Sequence, residues 1–366
     1  LKERYSMSEL IDVTVGGMLE RMAEMYPNHQ CVKYIEREYD MTYSEFNAEV
    51  DRVAKGLLGI GLKKGDHIAI WATNYPEWLS LLFATAKIGA VLVTVNTNYK
   101  IAELEYLLRQ SDSKALFVCD GLKDIDCEKT LYELCPELET SEPGILQSEK
   151  LPKLTTVVSI DNRYPGMYKC TDLYKYGERI TDEQLQKVKD AVSCHDVVNM
   201  QYTSGTTGFP KGVMLTHYNI VNNGLMIGDR LKFTPRDRLC IHVPFFHCFG
   251  LVLAIMACLT HGSTMVPLLW FTPMKALHTI EYEKCTAVHG VPTMFIAMLE
   301  HRDFKKYDTS SLRTGIMAGS TCPEKVMRQV VEEMHMTEIT SVYGQTEASP
   351  GCTQTFADDP LEKRVT

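Results

Sequence analysis

Positive charge is in short supply: 38 lysines and arginines face 47 aspartates and glutamates, for a net charge of −9. That leaves no basic face for counterion release and argues against nucleic acid as a main partner. No apolar run is built to cross a bilayer either. Lys87 and Gly89 interrupt the stretch 78–95, and the stretch 249–259 is too short, so both read as buried core. None of the twelve cysteines forms a CxxC pair and no signal peptide precedes them; a reduced, cytoplasmic chain is the expectation. Internal repeats and low-complexity tracts are lacking, and so is GxSxG, the usual hydrolase elbow. The first residue is Leu1 rather than methionine, so a trimmed piece of a longer protein is expected.

What is present is the composition of an ordinary globular chain, 45% hydrophobic and 23% charged. At 366 residues it exceeds the size at which one core usually stops growing, so two or more packed subdomains are expected. HIAIWA (67–72), VLVTVN (91–96) and ALFVCD (115–120) read as strands; PEWLSLLFATAKIG (76–89), closed by glycine, and IAELEYLLRQ (101–110) read as helices between them. This βαβ rhythm predicts an α/β fold with largely parallel sheet. Residues 121–154 and 172–195 read as connections and surface helices. A subdomain division is expected near 195, with 1–195 a first α/β region and 196–366 a second.

In the second region five polar clusters follow predicted strands. VVNMQY (197–202) leads into TSGTTGFPKG, LCIHVP (239–244) into FFHCFG, TAVHG (286–290) into VPT, GIMAG (315–319) into STCP, and EITSVY (338–343) into GQTE. Open α/β sheets bind ligands beyond the carboxyl ends of their strands, so all five are expected on one edge, at one site. Within the first cluster, Gly205, Gly208 and Gly212 permit close backbone approach. Main-chain N–H groups, the hydroxyls of Thr203, Ser204, Thr206 and Thr207, and the charge of Lys211 would make a nest for a polyphosphate. A polar surface turn has the same composition. The pattern GxxxxGK[ST] does not fit, because Lys211 follows Pro210 and precedes Gly212. Val213, Met214 and Leu215 look extended, and Thr216 is the first plausible helix cap, so the loop joins two strands.

TSGTTGFPKG (203–212) resembles the signature of the adenylate-forming superfamily, which includes acyl-CoA synthetases, luciferases and the adenylation domains of peptide synthetases. KIGAVLVTVN (87–96), VPFFHCFG (243–250), MAGSTCP (317–323) and VYGQTE (342–347) are similar to its other blocks, in the family's order over nearly the whole chain. The resemblance implies a large N-terminal domain of two stacked α/β subdomains, in a layered αβαβα architecture with mostly parallel sheets. It also implies an acid–thiol ligase using ATP, Mg²⁺ and CoA. Such an enzyme converts a carboxylic acid to an acyl-adenylate and then to acyl-CoA, releasing pyrophosphate and AMP. By the same resemblance Thr203, Ser204, Gly205, Thr206, Thr207, Gly208 and Lys211 would take the β- and γ-phosphates. Gly319, Ser320 and Thr321 would frame the base and α-phosphate, Val342, Tyr343 and Gly344 would lie against adenine, Thr346 would touch the α-phosphate, and Glu347 would bind Mg²⁺. His247, acting with Lys211 and Thr346 in the reaction, would donate from a neutral imidazole to the substrate carboxylate or adenylate. Plainer roles stay open: a solvated acid for Glu347, a core aromatic for Tyr343, and for His247 a core histidine bonded to a backbone carbonyl. His289 reads as structural, beside Gly290 in the cavity wall.

Amino-acid-activating relatives place an aspartate where this chain has Pro244, Phe245 and Phe246, which favours an uncharged acyl tail, since a buried ammonium would need a partner. VLVTVNTNYKIAELEYLL (91–108) looks closest to fatty-acyl-CoA synthetases of medium or long chain preference; an aryl acid is the alternative. HRDFKKYD (301–308) imitates a kinase catalytic loop, but Asp308 replaces its asparagine, and neither a VAIK-like strand nor DFG occurs. It reads as a charged helix end. Family features expected after YGQTE do not follow here: the ribose-binding aspartate, the hinge, the β-barrel part and the mobile lid domain with its lysine. The rival reading is therefore a catalytically incomplete nucleotide-binding fragment, with little or no turnover expected of this chain alone.

Overall fold

The computed structural model describes residues 9–203 and 209–365. Contacts divide the chain into two compact units. One gathers Leu1–Asp12, Met18–Phe46 and Asn219–Thr366, the other Val13–Gly17 and Asn47–Tyr218. Strands β1 (Gln30–Tyr34) and β2 (Tyr39–Thr42) belong to the first unit and are taken up below.

The second unit is built on β3 (His67–Trp71), β4 (Val91–Thr94), β5 (Ala115–Val118), β8 (Thr156–Ser159), β9 (Tyr168–Lys169), β10 (Val197–Thr203) and β11 (Lys211–Thr216). A separate two-stranded hairpin, β6 (Gly121–Leu122) and β7 (Ile125–Asp126), branches off after β5. The seven strands run in the order β11-β10-β4-β3-β5-β8-β9 and are parallel except for the β10–β11 hairpin at one edge. β4 and β5 are buried along their whole length, as befits strands covered on both faces. The helix Pro76–Ile88 stops at Gly89, whose φ of +70° suits glycine at a helix end. Lys87, the charge interrupting the apolar stretch 78–95, is itself buried. Its Nζ donates to Asn47 Oδ1 at 2.6 Å and pairs with Asp51 Oδ1 at 2.7 Å, which is what makes its burial tolerable.

The first unit holds β12 (Arg238–Ile241), β13 (Thr264–Pro267), β14 (Ala287–Gly290), β15 (Thr314–Ala318), β16 (Glu338–Gly344) and β17 (Gly351–Gln354) in an eight-stranded sheet ordered β17-β16-β15-β14-β12-β13-β1-β2. Only the two outer pairs, β16–β17 and β1–β2, are antiparallel. Val288, Phe295, Met317, Met327 and Ile339 belong to one apolar cluster that joins this sheet to the helices Pro292–Leu299 and Glu324–Glu333. The N-terminal strand β1 pairs in parallel with β13, Val32 opposite Met265, so early residues complete a late sheet. The division expected at 195 therefore differs from the one observed. β10 pairs with β4, Asn199 opposite Leu92, and stays with the strands before it, while β1 and β2 leave for the first unit. Among the described residues no helix is long and apolar enough to cross a membrane.

Candidate active site

The five polar clusters do not share one edge. Four follow β12, β14, β15 and β16 of the eight-stranded sheet; the fifth connects β10 to β11 in the seven-stranded sheet. The reason is strand pairing, which motif spacing does not specify.

On the eight-stranded sheet, β15 and β16 lie side by side, Ala318 opposite Val342, so Gly319, Ser320 and Thr321 emerge next to Tyr343 and Gly344. Gly319 has a φ of +89°, a turn that glycine accommodates, and Ser320 and Thr321 are exposed. Tyr343 is 69% exposed, which rules out the core-aromatic role and leaves its ring face open to a flat ligand. Gly344 cannot carry a side chain: a Cβ there would lie 2.2 Å from the Pro350 carbonyl oxygen, because the returning chain crosses against it. Gln345 N–H donates to that same Pro350 carbonyl at 3.1 Å, and Ser349 N–H to the Thr346 carbonyl at 3.1 Å. Asn223, on the helix His217–Arg230, ties the return strand down twice: its amide donates to Gly351 C=O and its oxygen accepts Gly351 N–H, each at 3.0 Å. The result is a tight loop that buries Thr346 and exposes the Glu347 carboxylate.

The segment after β12 is shaped by Gly250, where a Cβ would meet the Pro244 carbonyl oxygen at 2.2 Å. Phe249–Met256 then forms a π-helical stretch, a rare conformation that tends to mark functional sites. His247 precedes it and is exposed rather than part of the core. Its Nδ1 accepts the Phe249 N–H at 3.1 Å, which fixes the neutral ring as the Nε2–H tautomer. Partial desolvation of the ring lowers its pKa, which favours the neutral form. Cys248 Sγ lies 3.6 Å from this Nδ1 and 3.5 Å from Thr346 Oγ1, so the structure brings His247 and Thr346 together through a thiol that the sequence did not single out.

His289 fits the plain role once open to His247. It is fully buried; Nε2 donates to Leu253 C=O at 3.0 Å and Nδ1 accepts the Ile316 N–H at 3.2 Å. Burial lowers its pKa to about 4, so it is neutral and structural, as expected. His242 is buried with both ring nitrogens unbonded, its ring edge-on to Phe271 at 4.8 Å between centroids.

On the seven-stranded sheet, Thr203 ends β10 directly opposite Lys211 at the start of β11. Ser204, Gly205, Thr206, Thr207 and Gly208 lie outside the described residues. Lys211 is exposed. The C-terminal root of the loop is anchored on the helix Ile101–Gln110: Tyr106 stacks on Phe209, centroids 5.4 Å apart, and its hydroxyl donates to Pro210 C=O at 3.1 Å. No sequence signal pointed to Tyr106, since a half-buried tyrosine on an amphipathic helix looks like any other.

A family model described as AMP-binding enzyme matches residues 19–366. Over 360 residues the chain is 52% identical to "Putative acyl-CoA synthetase YngI" of Bacillus subtilis, covering 98% of this chain and 66% of that protein. It is 39% identical over 360 residues to the human mitochondrial medium-chain acyl-CoA ligase ACSF2, covering 96% of this chain and 58% of the relative. The chain thus spans less than two thirds of the length of these curated relatives. Among solved structures, the inhibitor-bound N-terminal domain of FACL13 from Mycobacterium tuberculosis superposes with a TM-score of 0.79 at 25% identity, over 97% of this chain and 81% of that one.

Proposed function

The chain belongs to the AMP-binding enzyme family, and on that premise we propose that it forms the acid- and nucleotide-handling part of an ATP-dependent acyl-CoA synthetase. The acid is proposed to be a medium- or long-chain fatty acid. Medium-chain ligases among the relatives support that range, as do Pro244, Phe245 and Phe246 in the segment that leads to His247. The observation that carries the reading is the approach of His247 to Thr346 at the end of the eight-stranded sheet, bridged by Cys248.

A carboxylate resists attack because its own charge repels nucleophiles and its leaving group would be oxide. In the proposed first step a carboxylate oxygen attacks the α-phosphorus of ATP and pyrophosphate departs. In the second, a thiol attacks the acyl carbon and AMP departs. Two anions must meet, so the site needs orientation and charge neutralisation more than a base. The exposed Nε2–H of His247 is a neutral donor suited to a carboxylate oxygen, and the Thr346 hydroxyl is suited to an α-phosphate oxygen. Tyr343 and Gly344, with Val342 behind them, offer a flat exposed surface for adenine, and Gly319, Ser320 and Thr321 an adjacent polar turn. Thr203 and Lys211 are assigned to the β- and γ-phosphates, together with residues 204–208. Glu347, one exposed carboxylate beside Thr346, fits a magnesium ion whose other ligands are phosphate oxygens and water. When bound, the ion would neutralise phosphate charge.

All twelve cysteines are free thiols, which supports the proposed placement in a reducing compartment, the cytoplasm. By itself the chain is proposed to turn over weakly or not at all. Acid-dependent exchange of labelled pyrophosphate into ATP tests the reading, using acids of rising tail length alongside aryl acids. The full-length gene product should exchange best with medium- or long-chain fatty acids. An aryl optimum would overturn the substrate class, and no exchange with any acid would overturn the reaction.

A further inference from the structure

The thiol of Cys248 has no part in the reaction as set out above, yet it sits between the groups assigned to the acid and to the nucleotide. It is 4% exposed, with Sγ 3.5 Å from Thr346 Oγ1 and 3.6 Å from His247 Nδ1. We propose that Cys248 is a positioning residue whose S–H donates to Thr346 Oγ1 and so turns the threonine's own hydroxyl proton outward, toward the α-phosphate. This assignment rests on the adenylate-forming reading of the site.

The direction of the bond follows from what else is nearby. His247 Nδ1 already accepts the Phe249 N–H at 3.1 Å, so of the two groups facing the thiol, Thr346 Oγ1 is the one with an acceptor position to spare. The reverse arrangement, Thr346 donating to sulfur, would aim oxygen lone pairs at an anionic phosphate and repel it. Thr346 is buried with Oγ1 beside the thiol, so its rotor is set by that neighbour rather than by bulk water. The donor proton is available at neutral pH. Burial raises the thiol pKa to about 11, with the nearby Thr346 pulling the other way and the Glu347 charge adding to the rise. A neutral thiol is a weak donor, but a fixed one costs no reorganisation when the phosphate arrives.

The test uses the full-length gene product and compares Cys248→Val, Cys248→Ser, Thr346→Val and the Cys248→Val/Thr346→Val double variant in pyrophosphate exchange, with melting temperature measured in parallel. Removing the donor in Cys248→Val should lower kcat/KM for ATP about five- to tenfold, mostly in kcat. Cys248→Ser keeps an O–H donor and should recover to within about twofold of the wild type. The double variant should be no worse than Thr346→Val alone. The proposal is overturned if Cys248→Val matches the wild type, if the two losses multiply in the double variant, or if Cys248→Ser is as impaired as Cys248→Val at unchanged melting temperature. Should valine prevent folding, Cys248→Ala is read by the same criteria. A wild-type enzyme without exchange would instead overturn the adenylation reading, and this assignment with it. Normal wild-type exchange with any of the adverse variant results fails Cys248 alone.

Discussion

The eight-stranded sheet and the seven-stranded sheet secure their polar strand ends by different means. After β12 and β16 the backbone is closed by two glycines with no room for a side chain, Gly250 under Pro244 and Gly344 under Pro350, and by the hydrogen bonds with which Asn223 clasps Gly351. After β10 the described anchor is aromatic, Tyr106 stacked on Phe209 with one hydroxyl bond to Pro210. Hydrogen bonds fix direction as well as distance, whereas stacking fixes a plane and leaves rotation within it. The first arrangement holds single atoms in place, and the second holds the root of a loop.

That contrast predicts unequal losses. Glu347→Gln should cost the most, lowering exchange by about a hundredfold or more, because the carboxylate proposed to hold magnesium at the phosphates loses its charge; a loss below about tenfold would place the reacting centre elsewhere. Within the first sheet the two histidines should separate cleanly. His247→Ala is expected to lower kcat/KM by about ten- to a hundredfold with little change in stability. His289→Ala should remove the buried ring and its bonds to Leu253 C=O and Ile316 N–H and destabilise the fold by about 2–4 kcal/mol in chemical denaturation.

Acid should sharpen the comparison. Burial lowers the pKa of His289 to about 4 and that of His242 to about 3 in the first unit, and that of His217 to about 4 in the second. The unfolded chain therefore binds more protons than the folded one between the ordinary histidine value of about 6.5 and these lowered values. Stability is complete above that window and is lost as pH falls through it, by roughly 3 kcal/mol each for His289 and His217 and roughly 5 kcal/mol for His242. With two such histidines against one, the eight-stranded unit should lose more, read as an earlier rise in amide exchange in β14 and β15 than in β4 and β10. His289→Gln should flatten the slope. The smallest effect belongs to the aromatic anchor. Tyr106→Ala should raise KM for ATP about three- to tenfold at nearly constant kcat, and Tyr106→Phe less, since it keeps the stack and loses one bond. A fall in kcat without a change in KM would show that the loop root aims a reacting atom after all.

Much of this was legible beforehand at the level of local pattern. The helix over 101–110 matches its expected bounds, β3 to β5 fall within the runs read as strands, and the loop at 203–211 does join two strands rather than cap a helix. Alternation of apolar runs with helical periodicity carries that information directly. The N-terminal strands β1 and β2 went unread, because short half-buried strands lack a long apolar run. The exposure that separates His247 from His289 was equally hidden, since both sit at or just beyond the end of a strand and both have apolar neighbours in sequence.

By itself the sequence determined which residue types stand at the ends of which strands, because those depend on neighbours within a few positions: the glycines where backbones cross, the hydroxyls and lysine of the hairpin, the acid after β16. Only the tertiary structure decided which strand ends became neighbours, because hydrogen bonding between distant strands is indifferent to order along the chain. That pairing put β1 beside β13, sent the hairpin to a different sheet from the other four clusters, and set the thiol of Cys248 against Thr346, 98 residues away.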